Sequence, residues 1–416
     1  MKKLIIPEIY LKNGLCDGKD PVELAKTFSD AGADGILLYD LSKEDEEHDV
    51  NLHVMKQIYR EVEIPIFGGG NIKRVEDVKK ILYTGCTKAI LDFSKNSNIE
   101  MLEEVSKRFG QEKIAVAVEG VEQLNANAQG MELYASMIVA VKELPETVYE
   151  KVSLPLVVTT EKEDYEVLHL LEKKAVLGVS GAFVSRKNTD FMNLKNRGAQ
   201  MGIKTAVLRS EISWDELKLN SDGMVPVVVQ DYRTNEVLMV AYMTEESFKK
   251  TLETGLMTYY SRSRKCIWTK GLTSGHVQYV KSLTTDCDYD TILAKVSQVG
   301  VACHTGKPSC FFNTMMKKEF KESNPLKVFE KVYDTILDRK ENPKEGSYTN
   351  YLFDKGIDKI LKKVGEEATE LVIAAKNPEP EEIKYEMADF LYHAMVLMVE
   401  KGITWNEIIE ELDNRH

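Results

Sequence analysis

Cysteine is scarce in this chain: six residues in 416. That excludes a disulfide-stapled scaffold. No signal peptide precedes Met1-Lys2-Lys3-Leu4, a pattern that points to a reducing, cytoplasmic setting. No apolar run approaches the ~18 residues of a membrane helix, so no membrane partner is expected. No low-complexity tract interrupts the chain, so all of it is expected to fold. Positive charge is in deficit, with a net charge of −12. That argues against a nucleic-acid groove, although a local basic pocket for a small phosphorylated ligand remains compatible. Hydrophobic residues at 43% and charged residues at 29% are ordinary for a globular protein, and the length suggests about two to four domains.

Three of the scarce cysteines crowd into one segment. Asp286-Cys287-Asp288-Tyr289-Asp290 is followed by Ala302-Cys303-His304-Thr305-Gly306 and then Cys310. Thiolates favour zinc and carboxylates favour magnesium, so one short stretch has ligands for two metals. Three cysteines would leave a fourth zinc position open, as in catalytic sites. In a strand, Asp286, Asp288 and Asp290 would share one face and Cys287 would point the other way. Carboxylates this close to thiols are costly in a plain core, which argues against ordinary packing residues.

Three textures divide the chain. Residues 1–205 alternate short apolar runs with amphipathic stretches. Strand-like runs fall at 3–7, 36–39, 64–67, 89–91, 114–118, 137–141, 156–158 and 178–184. Helical patterns such as 21–31, 55–62 and 75–83 lie between them. The alternation predicts parallel strands with crossover helices and, with eight strands, a closed (βα)8 barrel. An internal echo, Ala31–Leu37 against Thr84–Ile90, fits two βα units of separation. Residues 206–322 read as mainly strand and loop with short helices, including a hairpin around Asp231–Asn235, and contain the metal-ligand segment. Residues 323–416 read as a small helical domain, with helices at 329–339, 353–376, 381–401 and 404–412 and a break at Asn377-Pro378-Glu379-Pro380.

In the helical tail Glu367 and Glu370 are spaced i, i+3 beside Leu371 and Ala374. Glu386 and Asp389 repeat the spacing beside Phe390 and His393. Carboxylates on the apolar sides of two consecutive helices need a cation between them, and helix bundles build metal sites in this way. Magnesium with substrate phosphates is the expected occupant. Arg339, Lys355, Lys359, Lys362 and Lys363, around Gly346-Ser347-Tyr348-Thr349, suggest a polyphosphate pocket. With no serine or cysteine nucleophile nearby, the expected chemistry is attack of water on a phosphoanhydride.

These residues match known families. Ser261-Arg262-Ser263-Arg264, Trp268-Thr269-Lys270-Gly271, Thr273-Ser274-Gly275-His276-Val277, the Asp-Cys-Asp-x-Asp run, Ala302–Gly306 and Ser309-Cys310-Phe311 together resemble phosphoribosyl-AMP cyclohydrolase. Asp338-Arg339-Lys340, Glu345–Thr349, Lys363–Glu370 and Ala388–His393 are similar to phosphoribosyl-ATP pyrophosphohydrolase, an all-α relative of the MazG nucleotide pyrophosphatases. The two families occur fused, in this order, in histidine biosynthesis.

The resemblance implies two consecutive hydrolyses. The C-terminal domain would release pyrophosphate from phosphoribosyl-ATP, with Mg²⁺ on Glu367, Glu370, Glu386 and Asp389 and substrate contacts from Arg339, Ser347, Tyr348, Lys355 and Lys359. The middle domain would open the purine ring of phosphoribosyl-AMP between N1 and C6. Cys287, Cys303 and Cys310 would hold one Zn²⁺ per site, contributed from both subunits of a homodimer, and Asp286, Asp288 and Asp290 would hold Mg²⁺. His304 and His276 are candidates for proton transfer. Arg262, Arg264 and Lys270 are candidates for binding phosphate, with Ser274 and Trp268 beside the substrate.

Residues 1–205 resemble the phosphoribosyl isomerase and the cyclase subunit of imidazole glycerol phosphate synthase, through Asp20–Ala25, Gly32-Ala33-Asp34, Tyr39-Asp40-Leu41, Ile64–Ile72 and Val75–Val78. The departures weaken the catalytic implication. Tyr10 stands where an acid is expected after the first strand, and Glu119 replaces the usual aspartate at the fifth. Leu91-Asp92-Phe93-Ser94 and Val158-Thr159-Thr160-Glu161 replace two phosphate-binding loops. The expectation is a degenerate barrel serving as scaffold or binding module. An active isomerase with Glu8 or Glu119 as its acid, giving a trifunctional enzyme, is the alternative for this half. For the whole chain the alternative is a general nucleotide pyrophosphatase with a structural zinc site.

Overall fold

The computed structural model describes residues 1–318, 325–377 and 380–413. The expected boundary between 322 and 323 and the Pro378-Glu379 break lie outside the described residues. Two compact units are present, Met1–Thr314 and Met315–His416. Among the described residues no helix is long and apolar enough to cross a membrane.

The first unit begins with nine parallel strands: β1 (Leu4–Ile5), β2 (Glu8–Leu11), β3 (Ile36–Asp40), β4 (Ile66–Gly69), β5 (Lys88–Asp92), β6 (Ile114–Val118), β7 (Met137–Ala140), β8 (Leu156–Thr159) and β9 (Val176–Ser180). Their order is β1-β9-β8-β7-β6-β5-β4-β3-β2. β1 and β2 are halves of one extended segment interrupted at Ile6-Pro7, since proline has no N–H to give to a ladder. β1 pairs with β9 and β2 pairs with β3. Across the gap the Ile6 N–H donates to Val179 O (2.9 Å) and the Leu37 N–H to Pro7 O (2.9 Å). The sheet therefore closes as an eight-membered ring, and each expected strand is present.

Two separate apolar clusters follow from strand alternation. Ile6, Leu37, Phe67, Ile90, Ala115, Met137 and Val157 fill the barrel interior. Ile5, Ile36, Leu38, Ala89, Leu91, Val116 and Val158 face outward onto helices such as Pro21–Asp30, Asp45–Glu61 and Val75–Tyr83. The echo noted in the sequence has a local cause. Gly32 and Gly85 both adopt positive φ (96° and 99°) where a helix turns into the next strand, a conformation glycine takes at no steric cost.

The same unit continues with β10 (Val225–Asp231), β11 (Val237–Met243), β12 (Thr258–Ser261), β13 (Cys266–Thr269), β14 (Gln278–Thr285) and β15 (Ile292–Gln298). One sheet runs β11-β10-β15-β14, and β12 and β13 form a separate hairpin. The expected turn between β10 and β11 is present. Asp231 Oδ1 accepts from the Arg233 and Thr234 N–H groups, and Asn235 takes φ 57°. Trp214, Tyr259, Phe248 and the inward residues of β10 and β15 make this module's core.

The module docks on the outer helices of the barrel through charge. Lys281 on β14 reaches Asp30 (3.0 Å) and Glu63 (2.9 Å). Arg233 pairs with Glu61 (3.1 Å), and the Ser297 hydroxyl on β15 donates to Asp30 (2.9 Å). Burial alone would raise the Glu61 and Glu63 carboxyls, but Lys26 and Arg233 on the first and Lys281 on the second hold them below the usual range.

The second unit contains helices Pro325–Glu341, Tyr348–Lys355, Ile357–Ala374, Pro380–Lys401 and Trp405–Asp413 around Ile336, Leu352, Ile360, Met395, Val396 and Val399. The expected single helix over 353–376 is two. Gly356, at φ 75° and ψ −174°, ends one and starts the next.

Candidate active sites

Glu367, Glu370 and Glu386 come together as the sequence spacing predicted. One carboxylate oxygen from each lies within 4.8 Å of the others. The first two are one helical turn apart on Ile357–Ala374, and the third comes from Pro380–Lys401, packed against it. Glu367 is buried. Partial desolvation, with Glu367 and Glu386 nearby, raises the exposed Glu370 carboxyl, as expected for like charges held close together. Asp389 is exposed and stands outside this group. Its carbonyl oxygen accepts a hydrogen bond from His393 Nδ1 (2.9 Å).

The supporting residues were not all foreseen. The Tyr348 hydroxyl hydrogen-bonds His393 Nε2 (3.1 Å), and His393 Nδ1 is 3.7 Å from Glu367. Lys363 bridges Glu366 (3.1 Å) and Glu367 (3.3 Å). His393 sat on the carboxylate face in the sequence, the one signal that could have marked it. Ser347 caps Tyr348–Lys355, accepting the Asn350 N–H. Lys355 and Lys359 lie 5.9 and 5.8 Å from the Tyr351 ring centroid, so two ammonium groups share one aromatic ring. Arg339 pairs with Asp338 (2.5 Å).

The Asp286–Asp290 segment is not a strand, which corrects the expectation of one shared face. β14 ends at Thr285, and the aspartates occupy a turn with Tyr289 at φ 64°. Asp286 turns inward, accepting the N–H groups of Asp290 (3.0 Å) and Thr291 (3.2 Å). The outcome still gathers the three exposed carboxylates, with oxygens within 4.8 Å of one another. Lys218 approaches Asp288 at 3.6 Å.

Cys303 and Cys310 are neighbours. The Thr305 hydroxyl beside Cys303 lowers that thiol, with smaller help from Cys310 and Lys270, whereas burial raises Cys310. The Lys270 ammonium donates to Ala302 O (2.7 Å) next to both sulfurs, so it faces the thiols rather than open solvent. Cys287 is exposed on the aspartate turn. Among the described residues the three sulfurs do not gather within 4.8 Å in one chain.

His304 is exposed beside Cys303. His276 is half-buried, and its ring lies against Gly300, where a Cβ would come within 2.7 Å of it. The Ser274 hydroxyl accepts the His276 N–H (3.3 Å). Arg262 stacks over Tyr242 at 4.1 Å, and Arg264 lies 5.7 Å from the Trp268 ring, which itself packs on Tyr259.

Comparison with known proteins agrees with this layout. Family models match three segments: "Phosphoribosyl-AMP cyclohydrolase" at residues 239–312, "Phosphoribosyl-ATP pyrophosphohydrolase" at 329–416 and "Histidine biosynthesis protein" at 11–160. The histidine biosynthesis bifunctional protein HisIE of Thermoanaerobacter pseudethanolicus is 53% identical over 209 residues, covering 47% of this chain and 97% of that protein. The HisIE proteins of Caldanaerobacter subterraneus (55% over 201 residues, 48% of this chain and 97% of that protein) and Bacillus subtilis (48% over 202 residues, 49% and 96%) match similarly. The chain belongs to the bifunctional HisIE family of histidine-biosynthesis hydrolases, with a histidine-biosynthesis barrel preceding the two hydrolase segments.

Proposed function

We propose that this bifunctional histidine-biosynthesis enzyme divides into 1–205, 206–322 and 323–416, and that the last two parts act in succession. The observation that carries the reading is that two metal-capable carboxylate groups fall separately in the two segments matched by the two hydrolase families.

In 323–416, Glu367, Glu370, Glu386 and Asp389 would hold Mg²⁺. Three carboxylates converging with too few cations fit such an ion. The ion would neutralise charge developing on the leaving pyrophosphate. Lys355 and Lys359, with Arg339 and Ser347, bind the polyphosphate. Tyr348 and Lys363 fix His393 and Glu367 in place.

In 206–322, Cys303 and Cys310 would hold Zn²⁺ together with Cys287 of a second copy, since the three do not meet within one chain. Two adjacent thiols, one held low beside a lysine, fit a soft cation. Zinc bound there would acidify water into the nucleophile that opens the ring between N1 and C6. His304, exposed beside Cys303, moves protons at the site, with His276 as second candidate. Arg262 and Arg264 bind phosphate, Trp268 packs the substrate, and the Asp286–Asp290 turn would hold Mg²⁺ near that phosphate. Lys270 and Ser274 position the thiols and His276.

The barrel is non-catalytic in this reading. Tyr10, near the end of β2, hydrogen-bonds Glu8 (2.7 Å) instead of presenting an acid, and Asp92 stands at a loop that would otherwise receive phosphate. Rescue of a strain lacking the isomerase or the cyclase would overturn this part.

The test follows pyrophosphate release and the ultraviolet change of ring opening from phosphoribosyl-ATP with Zn²⁺ and Mg²⁺, in the parent and in Cys303→Ala. Both signals in the parent, with phosphoribosyl-AMP accumulating in the variant, are expected. Pyrophosphate without ring opening in the parent would reduce the thiols to a structural role.

A further inference from the structure

The closed barrel has a mouth at the C-terminal ends of its strands, with a cavity of about 400 Å³. Ile90, Ala117 and Val141 supply its apolar lining. Its charged lining is mostly negative. Glu8, Asp40, Asp92 and Glu119 face Lys95 as the single cation. Lys95 is drawn to Asp92 at 3.9 Å. Asp40 is turned away into His48, Asn51 and the Ser42 N–H, which together outweigh burial and hold it low. Glu8 and Glu119 therefore remain without a cation, and Asp92 has only the long contact with Lys95.

Two further observations point to what the ligand is. Glu8 is 8% exposed, and its hydrogen bonds come from neutral hydroxyls, Tyr10 (2.7 Å) and Thr159 (2.9 Å). Among the described residues no ion pair reaches it. A carboxylate taken from water without a cation is costly unless one is delivered. Beside it, the Tyr10 and Tyr39 rings stack 5.4 Å apart at 17°, and the buried Tyr39 hydroxyl has no hydrogen-bond partner. Burial, followed by Glu8, Tyr10 and Asp92, pushes that hydroxyl well above the usual tyrosine range, and its neutral oxygen can accept a hydrogen bond from an N–H donor. Aromatic faces next to carboxylates recognise organic cations, and an apolar cup with a few converging polar groups is the form of a small-molecule site.

We infer that the barrel mouth binds a small organic cation, an ammonium, amidinium or imidazolium group without phosphate, held by Glu8 and Asp92 against the Tyr10–Tyr39 pair. This deepens the non-catalytic reading of the barrel, on which it rests. It gives the barrel a ligand chosen by charge opposite to that of the phosphorylated intermediates.

The test is calorimetric titration of the full chain with histamine and with agmatine, and with ribose 5-phosphate as the anionic comparison. Saturable binding of at least one amine at one site per chain is expected, with none of the sugar phosphate. Glu8→Gln keeps the shape and one of the two accepted hydrogen bonds but removes the charge, and should weaken binding at least about tenfold. Asp92→Asn should weaken it in the same direction and decides the matter if Glu8→Gln does not fold. Pyrophosphate release and ring opening should be unchanged in both variants. No amine binding, preference for ribose 5-phosphate, or amine binding indifferent to both substitutions would overturn the proposal. Such a failure leaves the non-catalytic reading standing, because that reading falls only to rescue of the isomerase or cyclase strain.

Discussion

Lys281→Met tests whether the barrel supports the module that carries the thiols. Lys281 leaves β14, the strand that runs into the Asp286–Asp290 turn, and its ammonium is shared by Asp30 and Glu63 on the barrel. Methionine keeps most of the aliphatic stem and removes the ammonium, which also lies 4.8 Å from the Tyr232 ring centroid. The Asp30 side chain is 7% exposed and would keep the Ser297 hydroxyl as its partner across the interface. Breaking a buried pair from one side costs about 3–5 kcal/mol. Lys281 is 20% exposed and Glu63 is 52% exposed, so water recovers part of that cost, and the Glu63 contact adds at most about 1 kcal/mol. A loss of about 2–3 kcal/mol is expected for the first unit. Urea unfolding followed by fluorescence of Trp214 and Trp268 would measure it. Asp30→Asn in the same chain should restore at least half, because no buried charge is then left alone. Ring opening should fall, with pyrophosphate release as the internal reference. A loss under about 0.5 kcal/mol, or one that Asp30→Asn deepens, would show that the charges across this interface do not hold it together.

Glu386→Gln should lower pyrophosphate release by about 100-fold or more while ring opening of added phosphoribosyl-AMP is retained, since one ligand of a charged site is lost; steady-state assays of both steps check it. Glu61 and Glu63 have folded pKa values below the ordinary glutamate value of ~4.3, so their stabilisation is complete above that value and is lost as the pH falls through the lower, folded pKa. Denaturation midpoints of the first unit should therefore drop on acidification below about pH 4.5, and less steeply in Lys281→Met. Gly70→Ala should destabilise the barrel by at least about 2 kcal/mol, because φ is +89° and the new Cβ would meet Asp40 O at 2.1 Å; a thermal melt reads it.

The barrel was legible because its alternation of short apolar runs and amphipathic stretches repeats through eight strands, and each strand buries residues on both faces. The carboxylate cluster was legible because i, i+3 spacing survives into any regular helix. The aspartate turn was not legible as a turn, because alternation looks the same in a strand and in a short turn that folds back on Asp286. Gly356 was read through, although a glycine at positive φ ends a helix at little cost. The docking of Lys281 on Asp30 and Glu63 was not legible at all. Those residues are hundreds of positions apart, and singly each looks like an ordinary solvated charge. The same holds for the mouth, where Glu8 gains its meaning only once Tyr39 and Asp92 arrive from other strands.

The separation of Cys287 from Cys303 and Cys310 has its own consequence. Phe311 and Phe312, next to Cys310, are 62% and 46% exposed, more apolar surface than a site-forming segment leaves to water without a cover. A second copy supplying Cys287 would provide both the cover and the missing ligand. A symmetric dimer would then hold two sites, each mixing thiols from both chains. If so, Cys287→Ala and Cys303→Ala chains, each unable to open the ring, should complement when unfolded together and refolded. In the mixed dimer one site carries both lesions and the other carries none. Random pairing makes half the dimers mixed, so about a quarter of the parental ring-opening rate should return. Pyrophosphate release should be parental throughout and reports recovery of fold. Absence of complementation with that release intact would mean that each site is completed within one chain, by movement of the Asp286–Asp290 turn toward Cys303.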